Sequence, residues 1–138
     1  MKAISIRAPW WWAILYHGKD IENRDWATGF RGRVLLRASK WWDRDELKLE
    51  YSSLWKISER AHLPGPRPDW VAMRGCGGCI VGSVEIVDCV TRSSSAWFMG
   101  KYGFVLRNPI AFESPKPCKG ALGFFEPRGL SYSDAELI

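Results

Sequence analysis

Three charged residues of alternating sign lie close together near the N-terminus: Lys19, Glu22 and Arg24. Side chains two positions apart in an extended segment point to the same side, so Glu22 and Arg24 are predicted to share a face, with Lys19 in the turn before them. Arg24 can contact a phosphate or a base edge through its planar guanidinium. Glu22 can accept from an exocyclic amine such as cytosine N4, and Lys19 can neutralise phosphate or act as a base if it is desolvated. The alternative is a surface salt-bridge cluster.

Tryptophan is unusually abundant, with nine among 138 residues. Ligand sites and base-stacking platforms use indoles often, and nine are hard to bury in so small a core. The run Trp10-Trp11-Trp12 spans about 200° of a helix, so at least one of its rings must leave the core face. We expect Trp10 to be a stacking residue, with Arg7 beside it at the start of the helix.

Four further residues are candidates for the walls of the same cleft. Ser39 and Lys40 follow a predicted strand, from which they can face the cleft. Tyr102 and Trp97 flank a Gly-Lys pair and can close the opposite wall. Each of these, taken singly, can equally be a plain surface residue.

Other polar residues have less specific interpretations. Glu85 lies in a strong strand pattern, where it can orient a lysine, form a wall of the cleft or carry a solvent-side charge. The run Ser93-Ser94-Ser95 offers three hydroxyls, and the favoured interpretation is a solvated turn. His17 is near enough to Lys19 to take part in chemistry, whereas His62 follows a helix and is interpreted as a capping residue. The two histidines do not have the spacing of a ribonuclease pair.

Four cysteines raise the question of metal binding. Cys76 and Cys79 form a C-x-x-C pair, but Cys89 and Cys118 stand alone, and a zinc ribbon needs two paired knuckles. We therefore expect free thiols and predict no metal ligands and no cofactor. A divalent metal ion is expected as a cofactor only if the chain is a nuclease.

The elements that must position these residues are short strands separated by Gly and Pro turns. Helical spacing predicts helices at 10–17 and 42–61, with a long loop at 63–78. This combination predicts an α+β fold, a small barrel with two flanking helices, over residues 1–128, followed by a polar tail at 129–138. Period-two alternation predicts the strands at 2–7, 20–25, 33–39, 80–90, 102–107, 110–113 and 121–126.

Composition and charge narrow the class of partner. The net charge is +5, which suits a polyanion without requiring one. The apolar run at 9–16 is too short for a membrane span or a signal peptide, so we expect no membrane association and a cytoplasmic location.

Several motifs together resemble the ASCH-domain family of the PUA-like superfamily. The run from Gly18 to Arg24, Gly-Lys-Asp-Ile-Glu-Asn-Arg, resembles the family signature G-x-K-x-x-E-x-R, although the glycine here directly precedes the lysine. The opening Ala-Ile-Ser-Ile-Arg-Ala-Pro-Trp at 3–10 is similar to the start of the family's domains. Further similar runs are Leu-Arg-Ala-Ser-Lys at 36–40, Tyr-Gly-Phe-Val-Leu at 102–106 and Pro-Cys-Lys-Gly-Ala-Leu-Gly at 117–123, so the resemblance covers residues 3–126.

The resemblance implies a PUA-like β-barrel with an RNA- or nucleoside-binding cleft beside the first helix. It also implies two possible activities, since some members hydrolyse the acetyl amide of N4-acetylcytidine and others are described as ribonucleases. The amidohydrolases carry a threonine where this chain has Glu22, so a hydroxyl nucleophile activated by lysine is absent from that position.

Three hypotheses follow. The first is a module whose basic, Trp-lined cleft binds RNA or a nucleoside-like ligand. The second is an RNA- or nucleoside-directed hydrolase, a ribonuclease or an amidohydrolase, with Lys19 and Glu22 as its catalytic pair. The third is a protein-interaction module that docks a partner through exposed tryptophans. The first predicts a ligand site made of Arg7, Trp10, Lys19, Glu22, Arg24, Ser39, Lys40 and Tyr102.

Overall fold

A computed structural model describes residues 1–40, 44–63 and 70–130 of the chain. Within these ranges the fold is mixed α+β, with three helices and one six-stranded sheet that curls into a half-barrel. The elements in chain order are β1 Ala3–Ile6, α1 Trp10–Tyr16, β2 Ile21–Arg24, β3 Gly32–Ala38, α2 Arg44–Arg60, α3 Trp70–Gly75, β4 Cys79–Val90, β5 Tyr102–Pro117 and β6 Phe124–Phe125.

The sheet order is β2-β5-β4-β3-β1-β6. Strands β1 and β3 are parallel, with Ser5 opposite Arg37, and every other pairing is antiparallel. The cleft-forming strand β2 therefore lies at one edge and pairs with β5, where Glu22 is opposite Phe104 and Arg24 opposite Tyr102.

Both faces of the central strands are covered. On one face of β3, Val34, Leu36 and Ala38 lie in the main core. Leu35, on the opposite face, is also buried, because it packs with Ala3 and other residues in a second, smaller apolar cluster. Residues on both faces of this strand are thus buried, whereas a strand with one face in solvent alternates between buried and exposed residues.

Gly82 lies at an irregularity in β4. The pairing register shifts on both sides of it, toward β3 and toward β5, as expected at a bulge. A Cβ at Gly82 would meet the Ile110 carbonyl oxygen and lie 2.8 Å from a methyl of Leu15. Only a glycine therefore lets β5 and α1 approach β4 this closely.

Two predicted boundaries were wrong. The predicted loop at 63–78 contains helix α3, with residues 64–69 outside the described ranges. The strands predicted at 102–107 and 110–113 are one continuous strand, β5, in which Asn108 has a φ of +53°. The Asn-Pro pair there bends a strand instead of ending it.

The remaining predicted elements are present, with different ends. The first helix ends at Tyr16, one residue early, and the second helix is α2, whose predicted start at 42 lies outside the described residues. The predicted strand at 121–126 shortens to the two residues of β6. The predicted tail is described only as far as residue 130.

No helix among the described residues is long and apolar enough to cross a lipid bilayer.

Candidate functional site

A cleft of about 340 Å³ opens where the end of β1, the start of α1 and strand β2 meet. The loop before β5 forms its outer wall, and helix α2 contributes Ile57. The cleft contains five of the predicted site residues. The lining residues are Ser5, Ile6, Arg7, Trp10, Lys19, Glu22, Asn23, Arg24, Ile57, Trp97 and Met99.

Lys19 is the most deeply buried charged group of the cleft, with only 4% of its surface exposed. Helix α1 ends just before it, where Gly18 adopts a φ of +72° that favours glycine. This reversal directs the Lys19 backbone N–H to the Ala13 carbonyl at 3.1 Å. The ammonium donates to the Ile21 carbonyl and lies between two indoles, 5.4 Å from the Trp10 ring centroid and 5.8 Å from that of Trp97.

Burial lowers the pKa of Lys19 below its ordinary value, because the charged form loses its water. The carboxylates of Glu22 and Asp20 oppose this shift, and the Arg24 guanidinium reinforces it. The two indole faces attract the cation and keep it in place. Lys19 is therefore a lysine whose neutral form is easier to reach than that of a surface lysine.

Glu22 and Arg24 form the predicted pair on one side of β2. The Arg24 Nε and Nη2 atoms both lie 3.0 Å from Glu22 Oε2, and Nη2 also donates to the Ser5 carbonyl at 2.8 Å. Glu22 is 8% exposed. Within the described residues its other carboxylate oxygen accepts no hydrogen bond, so that oxygen is available for a further one.

Trp10 is held in place by a residue that sequence patterns did not identify. Glu50, on helix α2, accepts from the Trp10 indole Nε1 at 2.9 Å through one oxygen. Its other oxygen lies 3.4 Å from Arg7 Nη2. Helix α2 thus fixes both the indole and the guanidinium at the mouth of the cleft.

Asn23 holds the outer wall against β2. Its Nδ2 donates to the Trp97 carbonyl at 2.9 Å, and its Oδ1 accepts from the Met99 N–H at 2.8 Å. Ser95, which the sequence places in a solvated turn, donates to Asp20 and accepts from the Trp97 N–H. Asn23 and Ser95 are therefore positioning residues that place the Trp97 ring.

Three predicted site residues lie away from this cleft. Lys40 lines a different groove. Ser39 uses its backbone N–H to bond the Ile6 carbonyl at 3.0 Å, and Tyr102 lies in β5 beneath the Lys101 ammonium. Glu85 forms a wall of neither groove; it pairs with Arg33 at 3.2 Å. Of the four, only Lys40 borders a groove.

His17 lies behind the cleft and does not line it. The ring is 4% exposed and surrounded by Trp12, Trp55 and Trp97. Its Nε2 is 2.7 Å from Ser58 Oγ, and since the Ser58 hydroxyl donates to the Leu54 carbonyl, His17 must be the donor in that bond. Burial lowers the pKa of His17, which favours the neutral form of the ring.

The described part of the chain offers no obvious metal ligands. It contains no group of three His, Cys, Asp or Glu residues arranged to hold an ion, and its four cysteines are free thiols. Burial raises the pKa of Cys76, with the neighbouring Cys79 adding to the shift, which makes that thiol a poor nucleophile.

No protein-family model and no curated protein matches this chain.

Proposed function

We propose that this cleft binds RNA or a nucleoside-like ligand. One observation carries the proposal: the buried Lys19 ammonium lies between two indoles and beside the Glu22–Arg24 pair, in a cleft of about 340 Å³. Clefts from about 300 Å³ upward hold small ligands, and a few convergent polar groups in an apolar wall are typical of them. Its volume suits one nucleoside-sized group.

The indoles supply the apolar face that a base needs. Trp10 is half-buried and its orientation is fixed by Glu50, so a base can stack on it without further ordering. Trp97 is buried and contributes the outer wall. Stacking on aromatic side chains is the usual way in which proteins hold unpaired bases of RNA.

Glu22 supplies the polar recognition. Its available oxygen can accept from an exocyclic amine, the contact that carboxylates make with cytosine N4. Arg24 holds the carboxylate in place through Oε2. We therefore expect bases with an exocyclic amine to bind more tightly than bases without one.

Arg7 places a cation at the mouth of the cleft, where it can contact the phosphate or sugar of a ligand. The Arg7 side chain is more than half exposed there, so its guanidinium can meet a ligand phosphate from the solvent side while Glu50 orients it. Phosphate contacts set orientation, while base contacts set specificity.

The curled sheet with flanking helices is compatible with a small barrel-like domain, and we propose that it is a PUA-like one. The motif residues that resemble ASCH domains, Lys19, Glu22 and Arg24, all line the cleft. Their convergence supports that assignment.

A hydrolase is the second candidate, favoured by the lowered pKa of Lys19 beside a carboxylate. Glu22 would take a proton from water, and the resulting hydroxide would add to an acyl carbon of a modified base. Lys19 would stabilise the oxyanion. Collapse of that adduct would expel the amine, which takes the proton back from Glu22.

The binding proposal is tested by titrating free nucleosides and a short labelled single-stranded RNA into the protein. Glu22→Gln removes the carboxylate, and Glu85→Gln is the matched control, since Glu85 also pairs with an arginine but lies outside the cleft. We expect Glu22→Gln to weaken binding about ten-fold, as loss of one charged hydrogen bond does, and Glu85→Gln to leave it unchanged. Equal effects of the two variants would contradict the proposal.

The hydrolase candidate is tested by mass spectrometry after incubation with modified nucleosides and mixed RNA, with and without divalent metal. A product that disappears in both Lys19→Met and Glu22→Gln would support it. Binding without product would leave a binding module.

A further inference from the structure

A second groove shares Ser5 of β1 with the cleft. Its lining includes the buried Arg37 and the exposed Lys40 and Lys119. The remaining lining residues are small or apolar, and none is acidic. The charged groups of the described surface here are therefore all cationic, in a shallow groove of about 740 Å³.

Arg37 is buried without an opposite charge among the residues that the structure describes. It is 7% exposed, and its two hydrogen-bond acceptors within the described residues are neutral: the Cys118 carbonyl at 2.7 Å from Nε and Ser5 Oγ at 3.3 Å from Nη1. It takes part in none of the ion pairs among the described residues. A buried charge is costly unless an opposite charge accompanies it, and an arginine has five N–H donors to satisfy.

Two glycines bring backbone directly against this guanidinium. A Cβ at Gly120 would lie 2.6 Å from the Arg37 guanidinium carbon, and one at Gly78 would lie 3.9 Å from Nη2. Gly78 also joins the end of β3 to the residue that follows β5. Its N–H donates to the Ala38 carbonyl, and its carbonyl accepts from the Cys118 N–H. The guanidinium is thus held rigidly at the floor of the groove.

Ser5 connects the two grooves. Its backbone carbonyl accepts from Arg24 in the cleft at 2.8 Å, and its side chain accepts from Arg37 in the second groove at 3.3 Å. Ser5 lines both. One strand residue therefore lies between a base-sized cleft and an arginine that has no carboxylate partner in the described parts of the chain.

We propose that the groove of Arg37, Lys40 and Lys119 binds a phosphodiester of the nucleic acid whose base lies in the cleft. The missing counter-charge of Arg37 is then a backbone phosphate, for which the guanidinium fork is well suited. The ligand is accordingly a single-stranded oligonucleotide, with at least one phosphate beyond the bound nucleoside. This inference rests on the proposed base cleft.

The test compares a short single-stranded oligoribonucleotide with the free nucleosides. Lys40→Gln combined with Lys119→Gln removes two exposed cations without touching the core, and Arg37→Lys removes the fork. Lys2→Gln combined with Lys101→Gln removes two exposed cations that border neither groove and serves as the control. Affinity is measured over a range of salt concentrations.

We expect the groove variants to bind the oligonucleotide about ten-fold more weakly, with a salt slope reduced by about 0.7 for each phosphate that the protein no longer neutralises. Their affinity for free nucleosides should not change, whereas Glu22→Gln should weaken both ligands. An unchanged oligonucleotide affinity and salt slope in the groove variants would overturn the phosphate site.

Other outcomes separate the two proposals. Oligonucleotide binding that depends on the groove but not on Glu22 would sustain the phosphate site and overturn the base cleft. Failure of both ligands to bind would overturn both. Inorganic phosphate that displaces the oligonucleotide completely at equal concentration would show a site for free anions and overturn the phosphodiester assignment.

Discussion

The Glu50 carboxylate accepts the Trp10 indole N–H at 2.9 Å, across 40 positions of sequence. This hydrogen bond joins helix α2 to the mouth of the cleft. It fixes the half-buried indole at the mouth, so α2 orders the stacking surface before the ligand arrives. A stacking residue that is already ordered loses little entropy on binding.

Replacing Glu50 with alanine should therefore weaken nucleoside binding while leaving the fold intact. We expect a loss of about five-fold, as for one hydrogen bond of about 1 kcal/mol. Glu59→Ala, an exposed change on the same helix, is the control. Calorimetric titration measures both, and equal affinities for the two variants would argue against an orienting role for Glu50.

The charge of Lys19 should make stability depend on pH in the alkaline range. The folded-state pKa is lowered, whereas the unfolded lysine titrates near about 10.4, so between these values the unfolded chain binds more protons. Stability of the wild type should consequently rise, relative to Lys19→Met, as pH increases from about 7 to about 10.

Urea unfolding of both proteins at several pH values measures that difference. Other groups that titrate in this range contribute equally to both proteins and cancel. Lys101→Met, a change at an exposed lysine, should give a constant difference from the wild type. A constant difference for Lys19→Met as well would show that its charge is not destabilised by burial.

Sequence patterns predicted the site residues that lie close together in the sequence. Lys19, Glu22 and Arg24 converge because a glycine-terminated helix leads straight into a strand, and period-two geometry puts Glu22 and Arg24 on one side. Neither feature depends on distant residues. Both could therefore be derived before the fold was known.

The contacts that position the walls of the cleft join residues far apart in the sequence, and sequence patterns did not predict them. Glu50 has the spacing of an ordinary exposed helix residue, and Asn23 meets Trp97 across 74 positions. Lys40 was expected in the cleft because it follows a strand, but β3 leads it into the second groove. Tertiary packing alone decides such placements.

The Pro and Gly content of 63–78 was misleading for a related reason. Composition predicts a loop there, yet Trp70–Gly75 forms α3, whose Met73 is buried in the main core. Burial of apolar side chains can stabilise a short helix that propensity alone would not. Local composition failed for β5 in the same way, because pairing with β4 continues on both sides of Asn108 and keeps the strand continuous.

Gly82 should not tolerate even a methyl group. An added Cβ would meet the Ile110 carbonyl and a Leu15 methyl, neither of which can move without shifting β5 or α1. We expect Gly82→Ala to lower the free energy of unfolding by about 1–3 kcal/mol, the usual cost of overpacking. Gly29→Ala, with open space around it, should change it by less than about 0.5 kcal/mol. Chemical denaturation distinguishes the two, and similar values would contradict the close packing.

His17 should make the fold sensitive to mild acid. Burial among three indoles lowers its folded-state pKa, whereas the unfolded histidine titrates near about 6.5. Below about pH 6.5 the unfolded chain binds the proton and the folded chain does not, so the stability contributed by the neutral ring is lost as pH falls. Gln can still donate to Ser58 but does not titrate, so His17→Gln should flatten the dependence of unfolding free energy on pH between about 7.5 and 5.5. His62→Gln, a change at an exposed histidine, should keep the wild-type slope. If His17→Gln keeps that slope too, the buried ring must already accept the proton in the folded state.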